Sequence, residues 1–225
     1  MINGRTKETL EEAAEAIRRQ TEASVEPVVA DISTAEGRQR LLQACPDPDI
    51  LVTNNWGPPP GRWEDFEYED WLQAVESNML APIMMIKGVI GGMKDRRWGR
   101  IVNITSQMVK SPFPFMGLSA GARAGLTVAV KALSRDVARY NVTINNLLPE
   151  RIDTERQVYM AQKQAEASGI TYEEARQQIV ESIAAKRMGR PEEFGAMCAF
   201  LCSEFAGYIS GQNIQVDGGS YRGSF

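Results

Sequence analysis

Five residues carry the chemistry on offer in this chain. Ser119 stands at the centre of Gly117-Leu118-Ser119-Ala120-Gly121, the G-x-S-x-G spacing that presents a serine nucleophile where a strand turns sharply into a helix. Arg123 follows one helical turn later, and its permanent cation suits an oxyanion or a substrate carboxylate. Ser106 and Asn78 supply hydrogen bonds for a substrate oxygen. Glu150 is the candidate base, because burial in an apolar cleft raises a carboxyl group toward neutrality. The chain contains no histidine, which removes Ser-His-Asp and Cys-His mechanisms. Each residue also has a reading without chemistry. Ser119 is a preferred helix N-cap residue between two glycines that permit close packing, Glu150 stands beside Arg151 as an ion pair or a solvated carboxylate, and Asn78 stabilises a helix kink.

The elements that must hold these residues alternate between strand and helix. Apolar spacing predicts helices over 7–20, 34–44, 68–93, 119–140 and 191–204, and strands over 25–32, 49–55, 99–106, 141–148 and 211–219. Residues 155–186 are charged and helical, and read as a lid on the substrate side. The pattern predicts one α/β domain over residues 1–225, with a doubly wound parallel sheet in three αβα layers. Trp56, Trp63, Trp71, Phe66 and Tyr68 gather around the Pro-rich loop after residue 57, as an apolar pocket wall or as core.

Composition narrows the partners. Lys and Arg number 25 against 29 Asp and Glu, a net charge of −4, so nothing suggests a grip on nucleic acid or an anionic membrane. A small-molecule substrate is expected. No apolar run is long enough to span a bilayer and no signal peptide opens the chain, so a cytoplasmic location is expected. Three cysteines (Cys45, Cys198, Cys202) in such a compartment argue against a disulfide framework, and without histidine they make a poor metal site; no metal is expected.

Several motifs, in order, resemble the short-chain dehydrogenase/reductase family, nearest its 3-oxoacyl-(acyl-carrier-protein) reductases. They are Asp31, Asn54-Asn55-Trp56-Gly57, Asn78, Ser106, the stretch RMGRPEEFG and the C-terminal GQNIQVDGG. The resemblance implies a Rossmann-like fold, with Asp31 at the adenine ring, Arg5 beside the 2′-phosphate of NADP and Asn54 along the cofactor. It also implies dimers or tetramers built on the helices 68–93 and 119–140.

Three departures from the family pattern shape the expected activity. The family's opening strand, Gly-rich turn and helix have no counterpart here, so the expectation is a sheet re-paired with 25–31 beside 50–55, or a native chain that starts upstream of Met1. Aligned with the family, Ser119 and Arg123 replace its catalytic tyrosine and lysine, and Pro149-Glu150 replaces Pro-Gly. These departures lead to the expectation of a cofactor-independent hydrolase of small esters with Ser119 as nucleophile. The alternatives are an NADP-dependent oxidoreductase whose cofactor loop lies upstream, and a non-catalytic homologue acting through its oligomer interface.

Overall fold

The computed structural model describes residues 1–224. Two strands form its centre: β4 (Gly99–Ile104) and β5 (Val142–Pro149) are buried along almost their whole length, as strands covered on both faces must be. Alternation sends successive side chains to opposite faces. Ile101, Val142 and Ile144 meet α4 (Ala81–Arg96) and α5 (Gly117–Val137) on one side through Ile86, Met93, Leu126 and Val130. Val102 and Leu147 meet Leu201 of α8 (Pro191–Cys202) on the other. With β3 (Ile50–Thr53) and β6 (Asn213–Val216) outside them, these strands make a four-stranded parallel sheet in the order β3-β4-β5-β6. The result is a Rossmann-like α/β fold.

The sheet is not re-paired as the sequence suggested. β2 (Pro27–Val29) pairs with β1 (Ile2–Gly4) in a separate parallel ladder, and β3 bonds only to β4. Local contacts keep β2 in place. Asn3 Nδ2 donates to the carbonyl oxygens of Val28 and Ala30, each at 2.9 Å, and α1 (Lys7–Thr21) packs along both strands. The two ladders are joined by side chains instead, since Val28 and Ala30 share an apolar cluster with Leu41 of α2 (Ala35–Ala44), Met85 and Leu51. One face of β3 remains uncovered, with Ile50 and Val52 each 44% exposed.

A line of polar side chains crosses the larger sheet. Thr53 Oγ1 donates to Asn103 Oδ1 at 2.7 Å, Asn103 Nδ2 to Asn146 Oδ1 at 3.1 Å, and Asn146 Nδ2 to Asn213 Oδ1 at 2.8 Å. Each residue is the register partner of the next, so one side chain per strand completes the line. Burial without such partners would cost far more than the bonds return.

The expected helix 68–93 is interrupted. α3 (Tyr68–Val75) passes through a π-helical turn, Glu76–Leu80, before α4 begins. One carbonyl in this turn, that of Ser77, accepts from Asn55 Nδ2 at 2.8 Å, which fastens the loop after β3 to the kink. Residues 155–186 resolve into α6 (Glu155–Ser168) and α7 (Tyr172–Ser182), which turn at Gly169 with a φ of 66° and close over Ala161, Ile179 and Ile183. No helix among the described residues is long and apolar enough to cross a membrane.

Candidate active site

A cavity of about 670 Å³ runs across the carboxyl ends of five strands. It touches Gly4 and Arg5 after β1, Asp31 and Ile32 after β2, Asn54 to Gly57 after β3, Thr105 and Ser106 after β4, and Pro149 to Ile152 after β5. That edge of a doubly wound sheet is where ligands bind, because the loops there are free to vary while the strands stay fixed. The close passage of α2 under Asp31 depends on Gly37, where a Cβ would fall 1.9 Å from the Asp31 carbonyl oxygen.

Seven of the eight expected site residues line this cavity. Arg5, Asp31 and Asn54 occupy one half, and Ser106, Ser119, Arg123 and Glu150 the other. Asn78 does not line it: the residue is buried in the π turn, its Nδ2 donates to Ser77 Oγ at 3.0 Å, and its Oδ1 has no partner. Its position favours the structural reading.

The geometry around Ser119 is wrong for a nucleophile elbow. No strand leads into it; a 3-10 turn, Pro114–Met116, precedes α5, and Ser119 lies within the first turn of that helix. Nor is it the N-cap, which is Met116. The flanking glycines have a packing reason. A Cβ at Gly117 would lie 3.2 Å from the Trp63 ring, and one at Gly121 would lie 3.4 Å from Trp71. Trp63, Trp71 and Phe66 pack against one another there, tilted and edge-on, with centroid distances of 5.1 and 6.2 Å along the series, so of the expected aromatic pocket wall only Trp56 reaches the cavity. The Ser119 hydroxyl is nevertheless well placed for a ligand, since it faces the cavity and makes no hydrogen bond among the described residues.

Arg123 is committed elsewhere. Its Nη1 donates to the carbonyl oxygens of Ile104 and Thr105, both at 2.9 Å, and its Nη2 to that of Asn55 at 3.1 Å. Burial, and secondarily the charge of Arg156, push its guanidinium pKa down to about 10, so it is still a cation at neutral pH. Ser106 Oγ accepts from the Met108 amide at 3.2 Å, leaving its proton for a ligand. Glu150 pairs with Arg151 at 3.0 Å; burial raises its pKa above the usual carboxylate value, while Arg151 opposes the rise. Arg151 takes a left-handed φ of 55°, and the turn it makes keeps both side chains largely buried rather than solvated.

One charged residue of the cavity wall, Arg156, was not singled out in the sequence. Its guanidinium lies 5.3 Å from the ring centroids of both Trp56 and Tyr159, and Nη2 donates to the Pro58 carbonyl oxygen at 3.0 Å. The available signal was Tyr159, three residues along the same helix and hence on the same side.

Comparison with known proteins decides the family. Residues 1–221 match the family described as enoyl-(acyl carrier protein) reductase. The chain belongs to the short-chain dehydrogenase/reductase family. It is 34% identical to the NADPH-dependent reductase BacG of Bacillus subtilis (strain 168), over 99% of this chain and 88% of that protein. It is 31% identical to acetoacetyl-CoA reductase of Cupriavidus necator, over 85% of this chain and 73% of that protein. Among solved structures it superposes on YwfH, an NADPH-dependent reductase involved in bacilysin biosynthesis, with a TM-score of 0.91 at 32% identity, covering 99% of this chain and 88% of that one. L-sorbose reductase from Gluconobacter frateurii, solved with NADPH and L-sorbose, also gives 0.91, at 26% identity and with 98% and 86% covered.

These relatives overturn two expectations. A cofactor-independent hydrolase is not what this scaffold carries in proteins matching it over nearly its full length, and a site without cofactor is contradicted by the NADPH that several of them use. The physical reason agrees. Ser119 has no elbow, Arg123 is spent on three carbonyls, and Glu150 is held by Arg151, so no activated serine is assembled. The cavity, by contrast, fits a dinucleotide. It crosses the ends of five strands, and its lining includes a cation and an acid, Arg5 and Asp31, together with the hydroxyls of Ser106 and Ser119.

Proposed function

We propose that the protein is an NADPH-dependent reductase of small carbonyl compounds. The observation that carries this reading is the single cavity joining Arg5 and Asp31 to Ser106 and Ser119 across five strand ends. Asp31 meets the adenine ring, Arg5 the 2′-phosphate and Asn54 the adjoining ribose. When bound, NADPH supplies a hydride to the carbonyl carbon.

The chain's own residues then manage the carbonyl oxygen. The hydroxyls of Ser106 and Ser119 donate hydrogen bonds to it and orient it. An aliphatic hydroxyl is a much weaker acid than the phenol it replaces, so Ser119 positions the oxygen without surrendering its proton. Glu150 lines the same cavity, its pKa raised by burial against the opposing charge of Arg151, and is the candidate acid that returns a proton to the oxygen. Apolar Phe113, Phe115, Met116 and Met160 exclude water from the same end and set the size of the substrate. Leu72 of α3, Leu80 of the π turn, Met84 of α4 and Val128 of α5 are left on the surface, which supports a homodimer or homotetramer.

Titrating the purified protein with NADPH by fluorescence, then following NADPH consumption against a panel of ketones, tests the reading. Saturable binding and formation of one alcohol per NADPH are expected. Ser119→Ala should bind NADPH normally and turn over on the order of a hundredfold more slowly, as for loss of one oxyanion donor. Absence of NADPH binding by the wild-type chain would remove the proposal.

A further inference from the structure

Arg156 is half-buried in the cavity wall, and its charge meets no carboxylate among the described residues. Its Nη1 is buried without a hydrogen-bond partner among the described residues, although Nη2 is bonded to Pro58 and the guanidinium is held between Trp56 and Tyr159. Those two rings stand edge to face, 6.5 Å apart, and fix the side chain by cation–π contact on both. Holding a half-buried cation without a counter-charge is costly, so a rigid one in a cavity wall favours an anion beside it.

A second cation converges on the same spot. A Cβ built on Gly57 would lie 3.6 Å from Arg123 Nη2 and 3.7 Å from Arg156 Nη2, so the open face of Gly57 is a small hollow touched by two guanidinium groups. The acids in the cavity wall nearby do not fill it: Glu150 is paired with Arg151, and Glu155 forms no ion pair with either arginine among the described residues. Gly57 follows β3, whose neighbour β4 leads to Ser106, and Leu51 of β3 packs against the cluster that holds Val28 of β2, the strand that leads to Asp31. The hollow is therefore in the middle of the cavity. In a dinucleotide laid from Asp31 to Ser106, the middle is the diphosphate.

We infer that Arg156, with Arg123 behind it, holds the diphosphate of NADPH over Gly57, doing with guanidinium groups what backbone amides at a helix start do in other dinucleotide sites. The inference rests on the NADPH reading above. A planar fork of donors suits phosphate oxygens, and the aromatic clamp removes the rotamer freedom that binding would otherwise have to freeze.

Isothermal titration of the full chain with NADPH, inorganic diphosphate, 2′-AMP and pyruvate tests it, in the wild type and in two variants. Arg156→Gln removes the charge. Gly57→Ala fills the hollow with a methyl group at ordinary contact distance, so the fold is kept even if the first variant is impaired. Both variants should weaken NADPH and diphosphate by about tenfold or more, the worth of a charge-assisted phosphate contact, and leave 2′-AMP, which lacks the diphosphate, unchanged. Normal NADPH affinity in both variants overturns the inference while leaving the reductase reading intact. The same holds if they lose only a small carboxylate such as pyruvate, which would assign the hollow to substrate. A wild-type chain that binds no NADPH overturns both.

Discussion

Arg123 Nη2 donates to the carbonyl oxygen of Asn55, 3.1 Å away, and thereby ties the first turns of α5 to the loop that leaves β3. With the two bonds from Nη1 to Ile104 and Thr105, one side chain closes three backbone acceptors from two loops. Arg123→Met should lower the unfolding free energy by about 2–4 kcal/mol, because buried carbonyls lose charge-assisted partners. Arg123→Lys should recover only part of this, since an ammonium point cannot span the same three oxygens. Urea denaturation followed by circular dichroism checks both, and a loss under 1 kcal/mol for Met would show that water serves the carbonyls as well.

The asparagine line across the sheet makes a second prediction. Asn146 both accepts from Asn103 and donates to Asn213, so Asn146→Leu strands two buried partners, whereas Thr53→Val strands one at the end of the line. The central change should cost about 2–4 kcal/mol and the terminal one about half as much. A double variant, Thr53→Val with Asn146→Leu, should fall short of the sum if the line acts as a unit.

Much of this was legible in the sequence, for identifiable reasons. Continuous apolar runs such as 99–106 and 141–148 announce strands buried on both faces, and the order of strand and helix leaves only a parallel sheet. Seven cavity residues could be named because the motifs that resemble the family fall at strand ends and in the first turns of α5. What failed was non-local. The pairing of β2 is decided by Asn3 and α1 rather than by anything in residues 25–32, and the role of Arg156 depends on Trp56, a hundred positions away. The spacing around Ser119 misled because Gly117 and Gly121 answer to tryptophan rings that no local pattern reveals.

Glu150 gives the protein a dependence on pH. Burial raises its folded pKa above the ordinary 4.5, with Arg151 opposing. Between those two values the folded chain holds a proton that the unfolded chain has released, so stability falls as pH rises through the ordinary value and levels off above the raised one. Glu150→Gln should flatten that segment of a plot of melting temperature against pH. It should also remove the decline in ketone reduction on the alkaline side of the same transition. Curves that superpose for wild type and variant would count against a protonated Glu150.

Cofactor preference should lie with Arg5. A cation at the end of β1 favours the extra phosphate of NADPH over the bare ribose of NADH, and Arg5→Ala should cost NADPH roughly tenfold in affinity while NADH is unaffected. Dissociation constants for both nucleotides, measured at two salt concentrations, check it. Equal losses for the two nucleotides would place Arg5 elsewhere on the ligand.

The separation of β1 and β2 from the remaining strands has a mechanical outcome. No strand ladder joins the two sheets among the described residues; an apolar cluster that includes Val28, Leu41, Met85 and Leu51 connects them, and the cavity spans both. A molecule gripping Asp31 on one bank and Ser106 on the other becomes a brace, and the empty protein should melt in two steps where the filled one melts in a single step.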